Sequence, residues 1–111
     1  MKSLNQVNLI GNLGQDIEVR RTTSGKSVAN FSVALGKSWT DDQGQKQEKT
    51  TWINCVAWEG LADLAGKYLG KGSKVYLSGA LQVREYQDPN KVKKTITEVV
   101  VSDLIFLDGA K

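Results

Sequence analysis

The stretch that decides the fold covers residues 50–69 and reads TTWINCVAWEGLADLAGKYL. Its first half alternates with a period of two, which predicts a strand. One face of that strand carries Trp52, Asn54, Val56 and Trp58, and the other carries Ile53, Cys55 and Ala57. The second half follows the spacing of one helix face, with apolar residues at Leu61, Leu64, Ala65, Tyr68 and Leu69. A strand with two tryptophans on one face therefore leads directly into a short helix, and Gly70 is placed to end that helix in a left-handed conformation.

Composition and charge are those of a small globular protein with a mild basic excess. The 111 residues correspond to one domain, residues 1–111. The formal net charge of +3 and the pI of about 9.0 are compatible with a polyanionic partner. No apolar run approaches the roughly 20 residues of a membrane span, and the N-terminus carries no secretory apolar segment. We therefore predict a cytoplasmic protein without a membrane partner.

The cysteine and histidine counts exclude several classes of chemistry. The single cysteine cannot form an internal disulfide, and its place in the alternation predicts that Cys55 is a small core residue. The absence of histidine excludes histidine acid–base catalysis, Ser-His and Cys-His nucleophile pairs, and histidine-containing zinc sites. One enzymatic alternative stays open, a metal-dependent nuclease that would use Asp16, Glu18, Asp41 and Asp42. Those carboxylates lie in two turns without a metal-ligand pattern, so we predict a protein that is not an enzyme and needs no cofactor or metal.

Four further stretches alternate with a period of two and predict strands around the central unit. They are residues 7–13, continuing extended over 17–22, and residues 27–35, 75–83 and 95–107. Two polar excursions lie between the strands. One, with its turn at Gly44, joins strands two and three, and the other, with its turn at Pro89-Asn90, joins strands four and five. Glycines inside the strands, at Gly11, Gly14 and Gly79, indicate bends or close backbone approaches and not a phosphate loop. The order predicts an all-β fold, a five-stranded Greek-key OB-fold barrel with one short helix between strands three and four.

The candidate chemistry lies in the two polar excursions and in the third strand. Each excursion places an aromatic two residues after a cation, as Lys37 before Trp39 and Arg84 before Tyr86. Such interleaving suits a single-stranded nucleic acid, because bases stack on the rings and cations neutralise phosphates. The predicted stacking residues are Trp39, Trp52, Trp58 and Tyr86. The predicted phosphate contacts are Arg20, Lys37, Lys46, Lys49, Lys71, Arg84, Lys91, Lys93 and Lys94.

Other interpretations of the tryptophans stay open at this point. Trp39 could pack against a neighbouring subunit, and the face with Trp52 and Trp58 could belong to the core. Against a core position, Ile53 and its neighbours already form a coherent apolar face, and Asn54 between the two tryptophans argues against a dry environment.

Several motifs, in order, resemble bacterial and phage single-stranded DNA-binding proteins. They are GNLGQD at 11–16 with EVR at 18–20, VANFSVA at 28–34, SW at 38–39, TW at 51–52, LGKGSKVY at 69–76 and TEVVV at 97–101. The resemblance covers about residues 5–107 and implies an OB-fold, usually a homotetramer, that binds single-stranded DNA without sequence preference. It implies roles in DNA replication, recombination and repair, a place at the nucleoid, and stacking by Trp39, Trp52, Trp58 and Tyr86.

The sequence departs from the family pattern at several positions. Asn54, Glu59-Gly60 and Glu85 stand where family members often have a basic residue, and Ile53 replaces a histidine common at the family's subunit interface. The sequence ends at Lys111, without the family's flexible tail and acidic tip, so we do not expect recruitment of replication proteins through such a tip. A second hypothesis is a tail-less OB-fold adaptor of the primosomal type, a dimer whose main partners are proteins.

Overall fold

The structure, a computed structural model, describes residues 1–108. The end of the sequence, on which the expectation about the acidic tip depends, lies outside the described residues. The elements are β1 (Val7–Leu13), β2 (Glu18–Arg21), β3 (Ser27–Thr40), β4 (Lys46–Trp58), α1 (Gly60–Tyr68), β5 (Lys74–Gln87) and β6 (Lys93–Phe106). The first predicted strand is thus divided into β1 and β2 by residues 14–17. The strands β3, β4 and β5 continue beyond their predicted limits into the polar excursions, and β6 covers 93–106 against a predicted 95–107.

The sheet closes on itself. Its strands are ordered β1-β5-β6-β4-β3-β2, and an additional pairing between β1 and β3 closes the barrel, while β2 pairs with β3 alone. That pairing brings Leu13 opposite Val33. The strands β4 and β6 are parallel, with Cys55 opposite Val99, while the other pairs are antiparallel. The five-stranded Greek-key barrel with a short helix before the fourth barrel strand is therefore confirmed.

The barrel interior takes the apolar side of β1, β3, β4, β5 and β6. Its members are Leu13, Ala29, Phe31, Val33, Cys55, Ala57, Val75, Leu77, Val99 and Val101, and Ala62 of α1 joins them. Because alternate side chains of a strand point to opposite faces, burial of Cys55 and Ala57 forces Trp52, Asn54 and Trp58 outward. The prediction of Cys55 as a small core residue is confirmed.

The helix buries a different set of side chains from the predicted one. Its buried residues are Ala62 and Ala65, whereas Leu64 and Tyr68 are exposed. Ala65, Leu61 and Leu69 of the predicted stripe do pack against the barrel. The small Ala62 and Ala65 allow the helix to lie close to it, and Leu64 and Tyr68 remain outside. The predicted left-handed end at Gly70 is wrong, because Leu69 caps the helix in an extended conformation and the left-handed glycine is Gly72, in the following turn.

Two hairpin arms project from the barrel. We call residues 36–51 the β3–β4 arm and residues 81–95 the β5–β6 arm, and nearly all of their side chains are exposed. The radius of gyration is 16.4 Å, against about 13 Å for a compact chain of this length. The tips are tight turns, with Gly44 at a φ of 79° in one and Asp88 accepting the Lys91 N–H in the other. Both predicted excursions are therefore confirmed as hairpins.

The predicted close approaches at glycines are also confirmed. A Cβ at Gly11 would overlap the Ala34 carbonyl oxygen where β1 meets β3, and one at Gly79 would overlap the Val100 carbonyl oxygen at a break in the β5–β6 register. Within residues 1–108, no helix is long and apolar enough to cross a membrane.

Candidate nucleic-acid interface

The outward side chains of the central strands form one continuous surface. We define the aromatic face as Ser32, Ala34, Trp52, Asn54, Trp58, Gln82, Arg84, Tyr86 and Glu98. The register places Trp58 opposite Val28, Asn54 opposite Ser32 and Trp52 opposite Ala34. Trp52 is 56% exposed and Trp58 42% exposed. The alternative that Trp52 and Trp58 belong to the core is therefore wrong.

Tyr86 reaches the same face from the β5–β6 arm. It lies opposite Lys94 of β6. Val99 points into the barrel, so alternation along β6 places Glu98 and Lys94 on the outside. Parallel pairing of Val56 with Val100 aligns the outer face of β4 with that of β6. Tyr86 is 43% exposed, so three of the four predicted stacking residues share one surface.

The indole of Trp52 rests on the backbone between β1 and β2. A Cβ at Gly14 would overlap the ring of Trp52. Because Gly14 has no side chain, the indole of Trp52 can occupy the space beside it. The rest of the indole surface is open to solvent. Sequence analysis interpreted Gly14 as backbone geometry, and the structure adds that this geometry positions an aromatic ring.

Trp39 points to the opposite side of the β3–β4 arm. The ladder between β3 and β4 keeps one register from Val28 to Thr40, without a bulge. Trp39 therefore shares a face with Lys37, Lys49 and Thr51, and together these four line one concave surface. Trp39 and Trp52 do not lie on a single flat platform, and a strand contacting both would have to pass around the arm.

The two lysines beside Trp39 face each other across the ladder. Lys37 lies directly opposite Lys49, and like charges in that position repel. The Nζ of Lys37 is 5.9 Å from the centroid of the Trp39 ring, a cation–π distance. An anion held between the lysines would relieve their repulsion, so this part of the arm is suited to a phosphate next to a stacked base.

The other predicted cations are spread along both sides of the aromatic face. Arg20 lies opposite Val28, which in turn lies opposite Trp58, so Arg20 and Trp58 occupy one row. Lys46 starts β4 at the tip of its arm, on the face that carries Trp52. Lys71 lies in a turn, and its backbone N–H donates to Asp16 Oδ1 at 2.7 Å.

The cations of the β5–β6 arm differ in their surroundings. Lys94 Nζ lies 3.6 Å from Asp88 Oδ2, and alternation puts Lys93 on the face opposite to Tyr86. Lys91 occupies the turn with a φ of 63°. These three lysines therefore do not form one row, although all of them are exposed.

The Arg84 side chain is held by a carboxylate that sequence analysis missed. Its Nε lies 2.8 Å from Oε1 of Glu98, a residue only 4% exposed. Gln82 Nε2 donates to the same oxygen at 3.2 Å. The signal in the sequence was an acidic residue directly before a valine run predicted to be buried, because a buried carboxylate needs partners. The Glu98 carboxylate offsets the Arg84 charge, which leaves Arg84 less available to a phosphate than the lysines of the β3–β4 arm.

Two of the four carboxylates of the nuclease hypothesis, Asp41 and Asp16, have structural roles. The Gln45 backbone N–H, the Gln47 side chain and the Gln43 backbone N–H hold the pKa of Asp41 below its usual 3.8, outweighing the small opposing effect of desolvation. Asp41 thus closes the tip of the β3–β4 arm, and Asp16 accepts the Lys71 N–H. Within residues 1–108, no group of three or more potential metal ligands comes together.

The buried thiol is likewise unsuited to nucleophilic chemistry. Burial, with a smaller contribution from the negative charge of Glu98, raises the pKa of Cys55 from 9.0 to about 12. The thiol is therefore protonated at neutral pH, and the thiolate is the reactive form.

Comparison with known proteins shows which family the chain matches. Residues 4–107 match SSB, the single-strand binding protein family. The chain belongs to this family. It is 45% identical over 107 residues to the single-stranded DNA-binding protein of Neisseria meningitidis serogroup A, a match covering 96% of this chain and 62% of that protein. It is 48% identical over 112 residues to single-stranded DNA-binding protein 1 of Chlorobaculum tepidum, covering 99% of this chain and 68% of that protein.

A solved structure shares the whole fold. The complex described as "Plasmodium falciparum SSB complex with ssDNA" matches with a TM-score of 0.87 and 38% identity, covering 97% of this chain and 98% of that one. The chain spans about 62% of the length of the Neisseria relatives. The resemblance to single-stranded DNA-binding proteins and the OB-fold are confirmed. The single-strand binding protein family is one of non-enzymatic DNA-binding proteins, so membership also confirms the prediction that the chain is not an enzyme.

This family member also exposes apolar side chains away from the aromatic face. Ile10, Tyr76 and Ile105 form a row across β1, β5 and β6, and Leu81 and Val83 are exposed on the β5–β6 arm. Val75 and Leu77, on the other face of β5, are core residues of the barrel.

Proposed function

We propose that this chain binds single-stranded DNA without a strong sequence preference, as one domain over residues 1–111, during replication, recombination and repair at the nucleoid. The observation that carries the proposal is the set of exposed aromatic rings on one face of an OB-fold barrel. Trp52, Trp58 and Tyr86 are each between 42% and 56% exposed. Family membership and the match to a structure described as a complex with single-stranded DNA support it.

Exposed rings of this size favour a ligand with flat apolar faces. An unstacked DNA base has two such faces, and stacking on an aromatic side chain contributes about 1–3 kcal/mol per base. All four bases have a π face, so stacking by itself does not select sequence. Duplex DNA keeps its base faces stacked inside the helix, so it cannot use these rings.

Phosphate neutralisation is the second part of the proposed mechanism. We assign the strongest contact to Lys37 and Lys49, because they face each other beside Trp39. Arg20 and Lys46 extend the positive charge past Trp58 and along the β3–β4 arm. Lys71, Lys91, Lys93 and Lys94 are proposed as weaker contacts, and Arg84 as a group that mainly positions Glu98.

We further propose that the chain assembles as a homotetramer. The support is the apolar row of Ile10, Tyr76 and Ile105, together with the exposed Leu81 and Val83, because a lone barrel gains nothing from exposing them. A single mass corresponding to four chains in sedimentation at micromolar concentration is expected. A monomer would contradict the assembly, and a dimer with weak strand binding would favour the primosomal-type adaptor.

The experiment that tests the binding proposal is a titration of tryptophan fluorescence with oligo-dT and with a duplex of equal length. Strong quenching by the single strand and weak binding of the duplex are expected, because only the single strand can stack on the indoles. Equal affinity for the two ligands would overturn the proposal.

A further inference from the structure

A small cavity opens in the middle of the aromatic face. It has a volume of about 180 Å³ and is lined by five polar residues and three apolar ones, namely Gln15, Asn30, Ser32, Asn54 and Glu98 with Phe31, Cys55 and Ile96. That volume corresponds to about six water molecules. Stacking needs only flat rings, so the proposed mechanism leaves this concentration of hydrogen-bonding groups unexplained.

Glu98 presents an unused acceptor to the cavity. The residue is 4% exposed, and both of the hydrogen bonds that it accepts, from Gln82 and Arg84, go to Oε1. Within residues 1–108 no group donates to Oε2, and no buried side-chain oxygen is left both sealed from solvent and without a partner. Oε2 is therefore open to solvent at the cavity that Glu98 lines. A carboxylate oxygen in this situation is free to accept a hydrogen bond from a donor outside the chain, either water or a ligand.

Side-chain amides supply donors to the same cavity. Asn54 Oδ1 accepts the Ser32 hydroxyl at 3.5 Å, while Nδ2 of Asn54 donates to no group within residues 1–108. Asn30 and Gln15 also line the cavity, and in that part of the chain their side chains make no hydrogen bond of their own. The cavity thus combines one anionic acceptor with several neutral donors.

We propose that this cavity is a subsite for the Watson–Crick edge of a pyrimidine that carries an exocyclic amino group, that is, cytosine. The N4 amino group of cytosine donates to Glu98 Oε2, and its O2 and N3 atoms accept from the amides. Uracil and thymine present a carbonyl oxygen at the position of N4, which faces the carboxylate without a hydrogen bond. Carboxylates accept from cytosine N4 in direct readout for the same reason.

The place of the cavity suits a base that is stacked on Trp52. Asn54 is two residues from Trp52 on the same face of β4, a separation of about 7 Å along a strand. A base lying on the indole can therefore direct its edge at Asn54 and Glu98. The inference depends on the proposed single-stranded DNA binding and adds to it one position with a base preference.

The test compares oligo-dC with oligo-dU, because cytosine and uracil differ only at this edge. Both oligonucleotides carry the same fluorescent label, and affinity is measured by anisotropy at one salt concentration. The parent protein should bind oligo-dC about fivefold more tightly, which is the lower end of discrimination by a side chain that reads a base edge. Glu98→Gln should abolish or reverse the ratio, since a glutamine that keeps its carbonyl toward Arg84 presents a donor to the uracil O4. Glu85→Gln is the matched control, because it removes the same charge from β5 outside the cavity and should leave the ratio unchanged.

The possible outcomes separate failure of the cytosine subsite from failure of single-stranded DNA binding. Tight binding with equal affinity for the two oligonucleotides in the parent protein, or a ratio that survives Glu98→Gln, would overturn the subsite and leave the proposed function standing. Failure of both oligonucleotides to bind would overturn the proposed function itself. If Glu98→Gln does not fold, Asn54→Leu decides the question, because it fills the cavity and keeps the pairing of Glu98 with Arg84. A dC preference that persists in Asn54→Leu would refute the subsite.

Discussion

Truncation of Trp52 to alanine should weaken the binding of single-stranded DNA in a protein that still folds. The side chain is 56% exposed, so it buries roughly 100 Å² and its removal costs about 2.5 kcal/mol of stability. Truncating a fully buried tryptophan would cost about 3–5 kcal/mol. Loss of one stacked base costs about 1–3 kcal/mol of binding, which corresponds to roughly a 5- to 150-fold increase in Kd.

The salt dependence separates stacking from charge in this experiment. Anisotropy of labelled oligo-dT, measured at several salt concentrations, should show a weaker Kd with a nearly unchanged log–log slope, because the indole neutralises no phosphate. Trp52→Phe should recover most of the affinity. Tyr68→Ala is a control, since Tyr68 is 58% exposed but lies on α1 beside Phe106, outside the aromatic face. The reasoning is refuted if Trp52→Ala melts normally and binds fully, or if it melts as a core truncation would.

Three further outcomes follow from the structure. Replacing Lys37 and Lys49 together by alanine should lower the salt slope by about 0.7, since the two lysines share one phosphate and each phosphate on a single strand contributes about 0.7, and an unchanged slope would place the DNA elsewhere. Gly14→Ala should displace the Trp52 indole, which is measured as a changed tryptophan emission and weaker oligo-dT binding in a protein that still folds; identical spectra and affinity would contradict the packing. Because the pKa of Cys55 is raised from 9.0 to about 12, its contribution to stability is full below pH 9 and is lost as pH rises toward 12. Cys55→Ala should flatten that part of the pH–stability curve in chemical denaturation, and a curve of unchanged slope would exclude this contribution.

Local patterns in the sequence were sufficient for the strands and for most of the aromatic face. Alternation with a period of two is a property of neighbouring residues, so it separated Cys55 and Ala57 from Trp52 and Trp58 without knowledge of the fold. Turn residues such as Gly44 marked the hairpin tips for the same reason. The motifs spread along the chain then indicated the family before any geometry was available.

The helix shows where local pattern was insufficient. Its spacing of apolar residues indicated a face that includes Leu64 and Tyr68, yet these two side chains are exposed, while Ala62, outside the predicted stripe, is buried. Which stripe is buried depends on how closely the helix approaches the strands beneath it, and that distance is not encoded in the spacing of the helix itself.

The candidate site required contacts between distant parts of the chain. The uninterrupted β3–β4 register, and not the identity of the residue, puts Trp39 on the side of the arm opposite to Trp52. Gly14 lies under Trp52 only because the pairing of β1 with β3 closes the barrel. Arg84 meets Glu98 through the β5–β6 register. The sequence by itself determined which side chains face outward, since that depends on adjacent residues, whereas closure and register decided which of them meet, since those depend on hydrogen bonds between strands far apart in the chain.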